Sequence, residues 1–143
     1  LAGALQLYLA DNDDRFPPAT AWCGALSAYL PGEDVFTCPE RPELACAYAF
    51  NSALSGVRYH AITKAKDTVA FFESDRGGDA AGGADLLPDR PRHLSSDTYG
   101  FADGHGAYCP RKKLPDGSWA KEPDADWVIS EPLLKEDEGG AGR

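Results

Sequence analysis

The apolar opening LAGALQLYLA runs without a single charge into DNDDRFPPA, and this boundary constrains the chain more than any other feature. Leu1, Leu5, Tyr8 and Leu9 recur at the spacing of one helical face. Pro17 and Pro18 cannot continue a helix, and a proline biases the residue before it toward extended backbone, so the first helix is expected to end between Ala10 and Asp14. No Ser, Thr, Asp or Asn precedes the run as a cap, and the chain contains no methionine, so the sequence is expected to enter in mid-helix with a segment missing upstream. No stretch reaches the roughly 18 apolar residues that span a bilayer. An upstream continuation of the helix would supply such an anchor.

The rest of the chain must fold against that apolar face in shorter pieces. A second helix is expected over 21–30, capped by Thr20, with Trp22, Leu26, Tyr29 and Leu30 on one side and Pro31-Gly32 as its stop. In ACAYAFNSAL, Tyr48 and Phe50 alternate with small residues, and DTVAFFESD is rich in Val and Phe. Both patterns predict strands. A Gly-rich, Pro-punctuated loop, RGGDAAGGADLLPDRPR, follows the second of them. Asp103-Gly104 predicts a two-residue type I′ hairpin, Asp116-Gly117 a second hairpin, and Trp127 to Ile129 a last short strand. The expected fold is α+β: an N-terminal helix, truncated here, packed on a small antiparallel sheet. Residues 1–134 are expected to form one domain, and residues 135–143, which have nothing apolar to bury, a disordered tail.

Charge and cysteine usage narrow the partners. A net charge of −9 repels a phosphate backbone, which makes nucleic acid and anionic membrane surfaces poor partners; the same balance suits divalent cations or basic protein patches, although a modestly acidic surface is more often only solvation. Cys23, Cys38, Cys46 and Cys109 include no C-x-x-C pair, so zinc held by close cysteine pairs fits poorly and disulfides fit better. Disulfides imply an oxidising, extracytoplasmic compartment, and the spacing leaves all three connectivities open.

Two of the three histidines fall in RHLSSDTYGFADGHGAYCP. His93, Asp103 and His105, with Glu73 or Asp75 from the neighbouring strand end, could supply imidazoles and a carboxylate to zinc, iron or manganese. The structural alternative is stronger. Asp103-Gly104 is first of all a turn, and His93 is expected to bond a carbonyl or Glu73 and hold the Gly-rich loop on the sheet. Ser95 and Ser96 near His93 do not amount to a nucleophile with an oriented base, so no enzyme is expected. DNDDRF is not a calcium loop, because Arg15 and Phe16 stand where such a loop needs an oxygen ligand and a glycine.

The spacing of His93, nine residues, then Asp103-Gly104 resembles the H-X9-DG motif of bacterial prepilin-type proteins, relatives of type IV pilins and type II secretion pseudopilins. The likeness extends to ALQLYLADNDDRFPP, with Tyr8, Asp11, Phe16 and Pro17 in the order of that class, and to VFTCPE, YAFN at 48–51 and FFE at 71–73. Together these segments cover residues 4 to 110, and the 33 positions beyond, with Trp119 and Trp127, lie outside the likeness.

The resemblance implies a precursor whose leader is cut by a prepilin peptidase, and an apolar N-terminal helix that anchors the subunit in the inner membrane before joining a filament core. The implied function is structural: a subunit of a pilus or secretion pseudopilus serving protein export, adhesion or related surface functions. Its partners would be copies of itself, related pilin subunits and the assembly machinery, in the periplasm or at the cell surface. The pseudopilin likeness also implies calcium in the acidic loop, where Glu73, Ser74, Asp75, Asp79 and Asp85 offer hard oxygen ligands. The alternative function is an exported metal-dependent enzyme using His93, Asp103 and His105.

Overall fold

The charge-free run, extended by Asp11, folds as helix α1, Ala2–Asp11, in a computed structural model that describes residues 1–39, 41–44, 46–93, 95–123, 125, 127–129, 132 and 134. The expected tail, residues 135–143, lies outside the described residues. Leu5 and Leu9 are buried and Leu1 and Tyr8 pack beside them, so the face read from the sequence is the one that meets the core. Each leucine so covered stabilises the fold by about 1.5–3 kcal/mol.

The helix stops where the sequence predicts, by a local mechanism. The Asn12 side-chain amide donates to the Tyr8 carbonyl at 2.8 Å. Asp13 and Asp14 take left-handed backbone, φ 56° and 59°, a conformation that short polar side chains tolerate better than most. The Asp14 N–H then turns back to the Leu9 carbonyl, and Phe16 enters the core with its N–H on the Val57 carbonyl.

The second helix differs from its expectation. Pro18 is extended and Ala19–Ala21 form one 3-10 turn, which places Thr20 inside that turn instead of ahead of the helix. Helix α2 is therefore only Trp22–Ser27, with no side-chain cap. The turn that follows it meets α1 through an edge-to-face contact of Tyr29 with Tyr8, ring centroids 6.0 Å apart.

Five strands form one sheet: β1 Tyr48–Asn51, β2 Val69–Glu73, β3 Ala81–Gly82, β4 Ser96–Phe101 and β5 Gly106–Pro110. Their order is β3-β1-β2-β4-β5, antiparallel throughout except that β3 joins β1 in parallel. The fold is thus α+β with a mixed sheet, which corrects the all-antiparallel expectation. The strand responsible comes from the Gly-rich loop, where Ala81-Gly82 carries no alternation to reveal it. The expected last strand is reduced to a single parallel bridge between Val128 and Thr68.

Both faces of the sheet are covered. Phe50, Ala70 and Phe71 meet α1 and α2 around Trp22, while Val69, Phe72, Tyr99 and Phe101 meet Leu86, Leu87 and Trp127 on the other side. Burial of all five β2 residues follows from this two-sided cover.

The β4–β5 hairpin also departs from the expected two-residue turn. Gly104 donates to the Phe101 carbonyl, Phe101 donates to the His105 carbonyl, and only Gly104 has positive φ, at 98°. A type I′ turn needs positive φ at both central residues, whereas a type I bend followed by a left-handed glycine needs it once. Leu114 to Ser118 repeats this arrangement around Gly117. The tip at Gly104 rests on α1: a Cβ there would lie 2.9 Å from Cγ of Gln6, and the Gln6 amide donates to the Ala102 carbonyl at 3.0 Å.

Candidate functional site

Glu73 ends β2 with its carboxylate fully buried, and three elements converge on it. The Thr98 N–H of β4 donates to Oε1 at 2.5 Å. Oε2 lies 3.0 Å from His93 Nε2, 3.4 Å from Arg92 Nη1 and 4.0 Å from Cys38 Sγ. An ionised carboxylate taken out of water is costly unless it is paired and hydrogen-bonded. Here a guanidinium, an imidazole and a backbone amide meet that need.

Arg92 is itself held tightly. Its side chain is 3% exposed, and it donates to the carbonyls of Ala47 at 2.7 Å and Ser74 at 2.6 Å and to Asp75 at 2.8 Å. Asp75 also pairs with Arg41 at 2.6 Å. Mutual backbone hydrogen bonds between His93 and Ser96 close a tight turn that leads into β4 and brings the Arg92-His93 pair back to the end of β2. The His93 ring meets the exposed Tyr108 ring edge-on at 5.8 Å. Burial, with Cys38 and Glu73 nearby, pushes the Tyr48 phenol up to about 12.

The residues predicted from sequence are therefore divided among several places. Glu73, Asp75 and His93 meet in one network. Asp103 and His105 bond each other at the hairpin tip, where the His105 ring stacks on Phe101 at 4.2 Å. His93 and this tip lie at opposite ends of β4, a strand of six residues and so roughly 16–20 Å long at about 3.3 Å per residue. Asp79 accepts from the Cys23 N–H at 2.9 Å. Asp85 sits in a 3-10 turn, where its carbonyl faces Lys121. The carboxylates of Asp75 and Asp79 thus go to separate partners, Arg92 and the Cys23 N–H. Among the described residues, the one group of three His, Cys, Asp or Glu donors within 4.8 Å of one another is Cys38, Glu73 and His93.

Sequence reasoning missed Arg92, Arg41 and the approach of Cys38. Arg92 left one usable signal: an arginine next to His93, facing a strand that ends in Glu, is the cation a buried carboxylate requires. A second buried pair lies on the other face of the sheet, with Arg111 Nε 2.7 Å from Asp97 Oδ2. Burial pushes the Asp97 carboxyl up to about 6, against the pull of Arg111.

Of the cysteines, Cys23 and Cys46 approach to 3.7 Å between sulfurs, Cys38 faces Glu73, and Cys109 is buried on the opposite side of the sheet. The Cys23 thiol donates to Cys46, which lowers the Cys46 pKa, and that bond together with burial and Asp79 raises Cys23. The two sulfurs are thus held side by side, with Cys46 made more acidic and Cys23 less so. Mild oxidation is expected to join Cys23 to Cys46, read as loss of two titratable thiols and a cross-linked peptide in non-reducing mass spectrometry. A different pairing would contradict this geometry.

A groove of about 330 Å³ opens between Leu1, Val35, Tyr48, Phe71, Thr98 and Gly100, and two of these, Tyr48 and Thr98, adjoin Glu73. Comparison with protein-family models, curated proteins and solved structures returns no match for the chain.

Proposed function

We propose that this protein is a structural subunit of a pilus or secretion pseudopilus, built to assemble with copies of itself or with related subunits, and not an enzyme. The observation that carries this reading is the outward side of α1, where Gly3, Leu7 and Ala10 are exposed and uncharged, Leu7 at 56%. A helix that only faces water normally turns charged residues outward. Small and apolar residues on both sides suit a helix that packs on its own head and also on a neighbouring helix.

The remaining parts of the reading follow from that role. The full-length form is anchored in the inner membrane by its N-terminal helix and is handled by pilus or secretion assembly machinery, with the β-rich head presented for export, adhesion or related surface functions. An extracytoplasmic setting suits the adjacent Cys23 and Cys46. A charge of −9 argues against nucleic acid as a partner. The metal-dependent enzyme on His93, Asp103 and His105 has no comparable support, because His93 and the other two residues sit at opposite ends of β4.

The test uses the full-length gene product in its host. Filaments sheared from the cell surface should contain the protein. Leu7→Asp should deplete it from that fraction by about tenfold or more while changing its stability by no more than about 0.5 kcal/mol, as expected at an exposed position. Absence of the wild-type protein from sheared filaments, or normal incorporation of the Leu7→Asp variant, would sink the proposal.

A further inference from the structure

We propose that Cys38, Glu73 and His93 form a zinc site, separate from any role in assembly. Sγ of Cys38 and Nε2 of His93 lie 4.0 Å and 3.0 Å from Oε2 of Glu73, and all three donor atoms fall within 4.8 Å of one another. A tetrahedral zinc ion with bonds of about 2.0–2.3 Å places its donors roughly 3.3–3.6 Å apart, so side-chain adjustments of an ångström or less complete the geometry.

The donor set selects the metal. A thiolate with an imidazole and one carboxylate oxygen favours zinc over calcium or magnesium, which take oxygen ligands. Two anionic donors balance the dication. Oε1 of Glu73 is already taken by the Thr98 N–H, which leaves Oε2 as the single oxygen turned toward both Cys38 and His93. Arg92, fixed by the Ala47 and Ser74 carbonyls and by Asp75, stands beside that oxygen and orients it. The site is built from the ends of separate segments, and the His93 side chain, 32% exposed, gives an ion its way in from solvent. Three protein ligands leave one position open for water or another group. The ion takes the place of the proton between His93 and Glu73 and displaces the thiol proton of Cys38, so binding weakens as the pH falls.

Cobalt serves as the optical probe, with the reduced, metal-free protein. A single equivalent should bind and produce a thiolate-to-cobalt charge-transfer band in the near ultraviolet with the visible bands of a tetrahedral ion, and zinc should displace it. Cys38→Ser should remove the charge-transfer band. His93→Gln should weaken cobalt binding at least about 100-fold, the upper end of what loss of a supporting partner alone produces. Cys23→Ser and His105→Ala should leave the spectrum unchanged. A wild-type protein with no charge-transfer band at saturating cobalt overturns the proposal, and so does a band that depends on Cys23. If Cys38→Ser does not fold by far-ultraviolet circular dichroism, His93→Gln decides the matter, since an unchanged cobalt affinity there excludes the site.

Discussion

Replacing Glu73 by alanine is expected to destabilise the protein by about 3–5 kcal/mol, the range found when one partner of a buried ion pair is removed. The effect has two sources. Arg92 keeps its charge in a place where its side chain is 3% exposed, and the Thr98 N–H loses its acceptor inside the sheet. Glu73→Gln separates them, because glutamine can still accept from Thr98 but carries no charge, so its loss should be smaller. Arg92→Ala should also destabilise, and the double variant should lose less than the sum of the two singles, since neither charge is then left alone. Urea unfolding in the presence of a chelator reads the effect as a lower midpoint at unchanged slope and keeps bound metal out of the comparison. A loss under about 1 kcal/mol, the size typical of exposed pairs, would show that this carboxylate is wetter than its surroundings imply.

The second large effect is expected at Trp22, where alanine should remove about 3–5 kcal/mol. Trp22 is fully buried, with the rings of Phe71, Phe36 and Phe50 at 5.4, 5.9 and 6.1 Å, and its indole N–H donates to the Ala80 carbonyl at 2.9 Å. Its helix has six residues and no side-chain cap, so it is held by packing and not by its own propensity. Truncation should therefore free α2 as well as open a cavity. The expected signs are a loss of near-ultraviolet circular dichroism and early proteolysis within residues 19–30. The hydrogen bond adds a finer prediction: Trp22→Phe keeps most of the ring and removes one of two donors to the Ala80 carbonyl, which still accepts from the Phe50 N–H, so the loss should be only about 0.5–1.5 kcal/mol. A Trp22→Ala variant with near-native stability would mean that the helices rest on the sheet more loosely than these ring distances indicate.

Features whose cause is local could be read from the sequence. The end of α1 follows from Asn12, the two aspartates and Pro17-Pro18, all within seven consecutive residues, and β2 follows from a run of Val and Phe. Thr20 misled because its cap role depends on backbone that Pro17 and Pro18 had already committed to a different path. β3 was illegible because its two residues, Ala and Gly, owe their pairing entirely to the edge that β1 offers them.

The site was half legible for the same reason. Glu73 and His93 could be named as partners, and their side chains meet. Cys38 could not be added, since it comes from 35 positions earlier and arrives through the packing of the segment that precedes β1. The cysteine spacing likewise could not single out Cys23 and Cys46, which meet because α2 lies over the start of the sheet. The motif that looks most chemical in the sequence holds two unrelated things: a histidine that belongs to a buried carboxylate, and a turn that belongs to α1.

That turn has a consequence for any assembly. Gly104 meets Gln6 with no room for a methyl group between them, so the hairpin tip is the stop against which the helix comes to rest. In a filament of the proposed kind, the tilt of each subunit about the fibre axis would be set at this contact, and rise and twist would inherit it. One backbone position at the end of a hairpin would then fix the pitch of a structure many subunits long.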